Sequence, residues 1–304
     1  MTTVVLPTHN PNLTRFTKTM EGLAAQTAAY GSWELIIVDN ASDKPVEPPQ
    51  DVTLTADVRV IHEPKIGLTH ARRAGVNAAR GDLIVFVDDD NVLCPSYLDG
   101  VRYAFGRLSQ VGALGGKSLG QFESYPEPWV QEFFSLLALR DLGDKEFIFI
   151  PDTKLGFDEY PTIAPIGAGL AVRHLALERW RQTASEFVSD RVGTALTSGG
   201  DNDIVLHVLK SGWGVAYVPV LKLTHLIPSA RLKPSYLERL NYGIQKSWMH
   251  VLSLHGVNTF SPISRASAQL RKIKAWFTYR AWQNDAARIR WRGACGHFDG
   301  RSCS

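Results

Sequence analysis

The chain has 304 residues, 44% of them hydrophobic and 21% charged, enough to bury a substantial core: one large α/β domain with an appendage. No run of 18 or more apolar residues occurs, since "EFFSLLALRDLG" and "KSWMHVLSLHG" both soon meet charges, so no membrane-spanning helix is expected. The net charge of +3 hides an asymmetry, because residues 1–230 hold 20 Lys+Arg against 27 Asp+Glu whereas residues 231–304 hold 13 against 3.

In chain order, "TVVLPT" (3–8) reads as a buried strand halted by Pro7. "NPNLTRFTKTMEGLAAQ" follows as a helix with Asn10 as N-cap and Pro11 at its first position. "MTTVVLPTHN" lacks a basic segment followed by an apolar one, so no secretion signal is expected. "WELIIVDNAS" is a second strand, residues 43–57 a proline-bearing loop, and "VRVIHE" a third strand. "GLTHARRAGVNAAR" has helical composition and leads through Gly81 to a fourth strand, "DLIVFV". Alternating strands and helices with short links predict a doubly wound parallel sheet with ligands at the carboxyl ends of its strands. Further on, "PSYLDGVRYAFGRL" is a helix, "VGALGGKSLG" a glycine-rich strand or loop, and 123–161 a stretch whose pattern assigns no element. A glycine-flanked strand and helix follow in "IAPIGAGLAVRHLALERWRQ", then a helix ending at Gly212 and a strand over 214–218. Beyond Pro228 the pattern is helical, with Ala266, Leu270, Ile273 and Phe277 in one stripe among basic residues. Cys94, Cys295 and Cys303, odd in number and without metal-ligand spacing, fit a reducing compartment better than a disulfide framework.

The chemistry-bearing residues gather at strand ends. After strand four come Asp88, Asp89 and Asp90, whose mutual repulsion needs a cation or hydrogen-bond donors to offset it. A hard divalent ion, Mn²⁺ or Mg²⁺, completed by substrate phosphates satisfies that need, and so does a solvated turn with Asp90 capping the next helix. On a locally extended segment Asp88 and Asp90 share one side and Asp89 turns away. Asp39, closing strand two, reads either as an acceptor for a base or ribose or as the start of an Asx-turn. Arg72 and Arg73 lie where a guanidinium reaches phosphate oxygens, or are solvated helix arginines. Neither GxGxxG nor GxxxxGK[ST] follows strand one, which argues against dinucleotide redox chemistry and P-loop hydrolysis.

Taken in order, "VVLPTHN", "IIVDNAS", "GLTHARRAGVNAARGDLIVFVDDDN", "IGAGLAVRH", "SGGDNDIVLHVLKSGWGVAYVP" and "LTH" resemble the successive signatures of family 2 glycosyltransferases with the GT-A fold. The resemblance covers residues 2–226. It implies an α/β GT-A domain over 1–228, with a nucleotide-binding half (1–116) and an acceptor-binding half (117–228); the tail, read from its own pattern as a helical basic extension (229–304), lies outside it. It also implies inverting transfer from a nucleoside-diphosphate sugar, with a UDP-sugar as the expected donor, to a glycan or lipid-linked acceptor in cell-surface polysaccharide or glycoconjugate synthesis.

Carried over position by position, the resemblance puts Pro7, Thr8, Asn10, Asp39, Arg72, Asp88 and Asp89 at the nucleotide. Asp90, Asp88 and His225 fall at the metal, and Asp201 is the base that takes the acceptor proton. Gly167, Ala168, Gly169, Gly200 and Asp203 line the acceptor and donor-sugar pocket. The sequence departs from the family pattern at Gly200, where a glutamate is usual, which bears on acceptor contacts more than on the base. Two rivals keep the same sheet: a catalytically inactive nucleotide-sugar-binding scaffold and a nucleotidyltransferase, the latter lacking a glycine-rich basic loop after strand one.

For the tail, a basic amphipathic helix over 265–292 lying on an anionic membrane is one reading. In the other, Trp276, Phe277, Tyr279 and Trp282 pack on the main domain or across a homodimer while arginines snorkel to solvent. No recognition motif accompanies the charge, so nucleic acid is not an expected partner. A cytoplasmic protein, peripheral at the inner face of the membrane, is the expected location.

Overall fold

A strand covered on both sides must divide its side chains between two cores, and β1 (Thr2–Thr8), buried along its whole length, does so. Val4 and Leu6 enter one apolar cluster and Val5 the other. The same alternation runs through β2 (Trp33–Asp39), with Leu35 and Ile37 opposed to Ile36 and Val38. In β4 (Leu83–Phe86), Val85 is opposed to Ile84 and Phe86. With β3 (Asp57–His62) at the edge, the order β3-β2-β1-β4 is parallel throughout. The computed structural model describes residues 1–152, 160–183, 199–257 and 259–302.

Beyond β4 the pairing changes direction. β5 (Asn91–Leu93), β6 (Val111–Phe122), β7 (Phe147–Phe149), β8 (Ala171–Arg173) and β9 (Gly214–Ile227) continue the sheet in the order β8-β6-β9-β5, with β7 on β9. The pairs β4–β8, β8–β6, β9–β5 and β9–β7 are antiparallel. The expected α/β architecture, a parallel sheet wound by helices, thus holds for the first half. The second half adds antiparallel strands, and β9 runs well past the expected end at 218.

Helices α1 (Leu13–Ala24) and α3 (Tyr97–Arg107) cover the first face with Phe16, Met20, Leu23, Leu98 and Val101. Helices α2 (Leu68–Ala78), α4 (Glu178–Thr183) and α5 (Gly200–Lys210) cover the second with Ala71, Val76, Trp180, Ile204 and Val208. The start of α1 departs from expectation. Asn10 has φ 48°, in the left-handed region, and Asn12 is the N-cap, accepting from Arg15 N at 3.2 Å. Gly75 sets the depth of α2, because a Cβ there would lie 2.3 Å from Val5 Cγ1.

The chain divides into two compact units. The first comprises Met1–Gln121, Ala138–Ser185 and Asp201–Leu226, and carries the sheet. The second comprises Phe122–Leu137, Glu186–Gly200 and Ile227–Ser304. It contains 3-10 turns over Pro128–Leu137 and the helices α6 (Pro234–Leu254), α7 (Arg265–Thr278) and α8 (Asp285–Ser302). Three glycines on one face of α8 bring it against α6: a Cβ on Gly296 would stand 2.2 Å from the Tyr242 carbonyl oxygen. Asn241 Nδ2 donates to the Ile289 carbonyl at 3.0 Å across the same seam. Among the described residues no helix is long and apolar enough to cross a membrane. Cys94 and Cys295 are free thiols, and Cys303 lies outside the described residues.

Glu34, 1% exposed, ties three segments together. Its carboxylate accepts from Thr3 Oγ1 at 2.7 Å, from Arg80 N at 2.7 Å and from Arg59 Nη2 at 2.8 Å. Burial alone would raise its pKa, but these donors prevail and hold it below the usual carboxylate range. A depressed folded-state pKa contributes stability that is complete above the unfolded value, about 4.3, and is lost as pH falls through the folded one. Glu34→Gln is therefore expected to lower the urea midpoint at pH 7 and to flatten its decline between about pH 5 and pH 3. A decline as steep as in the parent chain would contradict this role.

Candidate functional site

Strands β1, β2 and β4 end side by side, and the segment after β4 folds back as a turn. Asn91 N donates to the Asp88 carbonyl at 3.0 Å. The extended arrangement expected for the three aspartates is thereby replaced, because closing this hydrogen bond bends the backbone. The three carboxylates meet different partners. Asp88 Oδ1 lies 3.5 Å from Arg72 Nη2, and Asp89 Oδ2 accepts from Thr8 Oγ1 at 2.5 Å. Asp90, 5% exposed, sits 3.3 Å from His225 Nε2 and accepts from Asn91 Nδ2 at 3.0 Å. Asp89 thus faces Thr8, another nucleotide-side candidate, where the extended geometry would have turned it away.

Arg72 links this turn to the second half of the unit. Arg72 is 3% exposed, and its guanidinium lies over the Phe86 ring at 5.4 Å, a cation on an aromatic face. A Cβ on Gly167 would stand 3.0 Å from Arg72 Nη2 and 3.2 Å from Asp201 Oδ2, so the guanidinium and that carboxylate both border one glycine. Gly167 N donates to Asp201 Oδ2 at 2.8 Å. Asp201 Oδ1 accepts from Asn202 N at 3.0 Å, near the start of α5. Tyr160 donates to Asn202 Oδ1 at 3.0 Å; burial and the Asp201 charge push its phenol well above its usual range, which keeps it a neutral donor. Ala168 is buried, and Gly169, at φ +71°, accepts from Tyr97 Oη at 2.6 Å. Gly200 opens α5. Asp203 is 2% exposed, accepts from Trp180 Nε1 at 3.0 Å and lies 3.6 Å from His207 Nε2, placing it in the core beneath α5.

The β2 end is shaped by backbone donors. Asp39 accepts from Ser42 N at 3.0 Å and Val46 N at 3.3 Å. Burial opposes its ionisation, yet the Ser42 and Val46 donors and nearby His62 hold its carboxyl below the usual range. It is the anchor of a turn, and a carboxylate with about four lone-pair sites keeps acceptor capacity beyond these two bonds. Asn10 accepts from Asp43 N at 2.9 Å, joining the β1 end to the same loop. Pro7 pairs with Val38 on one side, while β4 stops its ladder at Val5–Phe86, so its missing N–H costs no sheet bond there.

Three contributors escaped the sequence reading. Asn40, 4% exposed, donates to the carbonyls of Glu63 and Lys65 and accepts from Gly67 N at 2.8 Å, fixing the entry to α2 and hence Arg72. Its signal was its place beside Asp39. Asn91 stood at the end of the quoted aspartate motif without a role assigned to it, and Tyr160 carried no pattern at all.

Two donors at this turn suit a divalent metal: Asp90 and His225 bring a carboxylate oxygen and an imidazole nitrogen to 3.3 Å from each other, each almost wholly buried, whereas Asp88, about one-third exposed, is turned toward Arg72. Oxygen with one imidazole suits Mn²⁺, and the carboxylates suit Mg²⁺. Buried Asn91 Oδ1, on the turn, and Arg72 Nε, on α2 beside it, have no protein partner among the described residues.

A model of the family described as "Glycosyl transferase family 2" matches residues 3–166. A glucosyl-dolichyl phosphate glucuronosyltransferase of Haloferax volcanii is 26% identical over 131 residues, 42% of this chain and 41% of that protein. A pre-mycofactocin glycosyltransferase of Mycobacterium tuberculosis is 24% identical over 226 residues, 73% of this chain and 42% of that protein. The chain thus aligns with about two fifths of the length of these curated relatives. Among solved structures, S. aureus TarS 1-349, also determined in complex with UDP, is 13% identical with a TM-score of 0.49, over 99% of this chain and 90% of that one. The family match takes in more than half of the 304 residues and bears out the resemblance read from the ordered motifs: the chain belongs to glycosyl transferase family 2.

Proposed function

We propose that this chain is an inverting, metal-assisted glycosyltransferase moving a sugar from a nucleoside-diphosphate sugar to a hydroxyl of a glycan or lipid-linked acceptor. The observation that carries this reading is the meeting of Arg72 and Asp201 on Gly167, with Arg72 also against the Asp88–Asn91 turn. A guanidinium and a candidate base thereby both close on one glycine, so near that even a Cβ there would press on them. A lipid-borne acceptor is further favoured by likeness to a relative named for a glucosyl-dolichyl phosphate.

In this reading Asp39 and Thr8 receive the nucleoside, and Asp90, His225 and Asp88 hold Mn²⁺ or Mg²⁺. When bound, such an ion neutralises charge on a nucleoside-diphosphate leaving group. Arg72, aimed by Phe86 and Asp88, binds the diphosphate. Asp201 takes the proton of the acceptor hydroxyl that attacks the anomeric carbon from the face opposite the leaving group, which inverts configuration. Gly167 N holds one oxygen of that carboxylate, leaving the base a fixed direction. Tyr160 is a positioning residue, acting through Asn202. Gly200, where family members usually have glutamate, gives this chain one carboxylate fewer beside the acceptor.

Two outcomes test this proposal. In a screen of nucleoside-diphosphate release that begins with UDP-sugars, Asp201→Asn is expected to lower kcat by about 10²- to 10⁴-fold while leaving the donor KM nearly unchanged. Full turnover by this variant would remove Asp201 as the base, and donor binding without turnover in the parent chain would make the protein a scaffold. Stripping divalent ions should abolish release and Mn²⁺ should restore it, with Asp90→Ala raising the half-saturating Mn²⁺ concentration at least about tenfold. An unchanged metal titration would mean that the ion binds elsewhere.

A further inference from the structure

An amphipathic helix normally buries its apolar stripe and exposes its polar face. Helix α7 departs from this by leaving its large apolar side chains outside. The residues it buries are small, Ala268 at 1% and Ala275 at 7% exposed, whereas Leu270, Ile273 and Phe277 are 69%, 58% and 63% exposed. These three are spaced as one face, and Trp282, 56% exposed, extends it just past the helix, with its ring 5.9 Å from that of Phe277. Ile273 and Phe277 also line an open groove of about 710 Å³ together with Trp276, Trp291, Lys272 and Arg292.

The surrounding charge has one sign. The three acids beyond residue 230 are each paired inside the second unit: Glu238 and Asp285 with Arg288 at 2.6 Å, and Asp299 with Lys272 at 2.5 Å. Exposed Arg265, Arg271, Lys274 and Arg280, all on or next to α7, have no carboxylate partner among the described residues. Lys274 and Arg271 follow the apolar face around one side of the helix, the arrangement in which cations meet headgroups while apolar side chains enter the acyl boundary. Tyr279 and Trp282 add aromatic rings of the kind that settle at that boundary.

From this geometry we propose that α7 and Trp282 form a docking surface for an anionic lipid bilayer, with α7 lying in the plane of the interface. A second copy of the chain suits the face less well, because two-fold pairing through α7 would set Arg271 and Lys274 against the same cations of the partner. The proposal does not depend on the donor site, and its readout is independent of turnover.

The full chain is mixed with vesicles of phosphatidylcholine alone, or of phosphatidylcholine with about 30% phosphatidylglycerol, and floated on a gradient at about 0.1 M salt. The expected result is flotation with the anionic vesicles, little with the neutral ones, and loss of binding as salt is raised. Ile273→Glu combined with Phe277→Glu should reduce the bound fraction about tenfold, as should Arg271→Glu combined with Lys274→Glu. These positions are solvent-exposed, and unchanged circular dichroism and thermal unfolding would show that the variants remain folded. The headgroup and salt dependence of the parent chain is a test that needs no variant. Absence of flotation on anionic vesicles overturns the proposal, as does equal binding to neutral ones or full binding by the Ile273→Glu, Phe277→Glu chain. A dimer in solution that this double variant dissolves, with no vesicle binding by the parent, would assign the face to a second copy instead.

Discussion

Three carboxylates in consecutive positions repel one another, and the geometry of the candidate site follows from how that repulsion is relieved. A turn sends each toward a different partner: Asp88 toward a guanidinium, Asp89 toward a hydroxyl and Asp90 toward an imidazole. Those partners come from α2, β1 and β9, so the triplet requires the parallel half of the sheet and its antiparallel extension to be in place together. A loop bearing these acids alone would have no reason to hold this shape.

Arg72 is where the two halves of the site communicate. A nearly buried guanidinium is tolerable only with aromatic, anionic or ligand partners, and it has Phe86 and Asp88 beside it. Its position is determined at a distance, by Asn40 closing the loop before α2 and by Gly75 letting α2 sit close on β1. Gly167 then leaves room for this cation and for Asp201 on one spot. The glycine matters less for its own chemistry than for the volume it does not occupy. A side chain there would collide with both groups that the proposed reaction uses.

The second unit follows a different packing logic. Small residues make the inner contacts, with glycines on α8 against α6 and alanines on the inner side of α7, and the large apolar side chains of α7 are left outside. Close helix approach through small residues gains packing contacts, so the interior does not require Leu270, Ile273 and Phe277. Their apolar surface is available for another partner.

Much of this was legible in the residues alone. Period-2 and period-3.6 patterns located the strands and helices of the first half, and the ordered motifs pointed to the family and to the strand ends as the site. Local patterning reports which residues share a face, because that depends on backbone geometry repeated every two or 3.6 residues. It does not report which partner a face meets. The turn at Asp88–Asn91, the Thr8–Asp89 bond, the roles of Asn40 and Tyr160, and the placing of Asp203 in the core all depend on groups far apart in the chain. So does the N-cap at Asn12, since Asn10 is drawn into the Asp43 loop. The stripe on α7 makes the same division plain: its spacing was written in the sequence, but whether it turned inward or outward was decided by alanines and glycines packing more closely than its large side chains could.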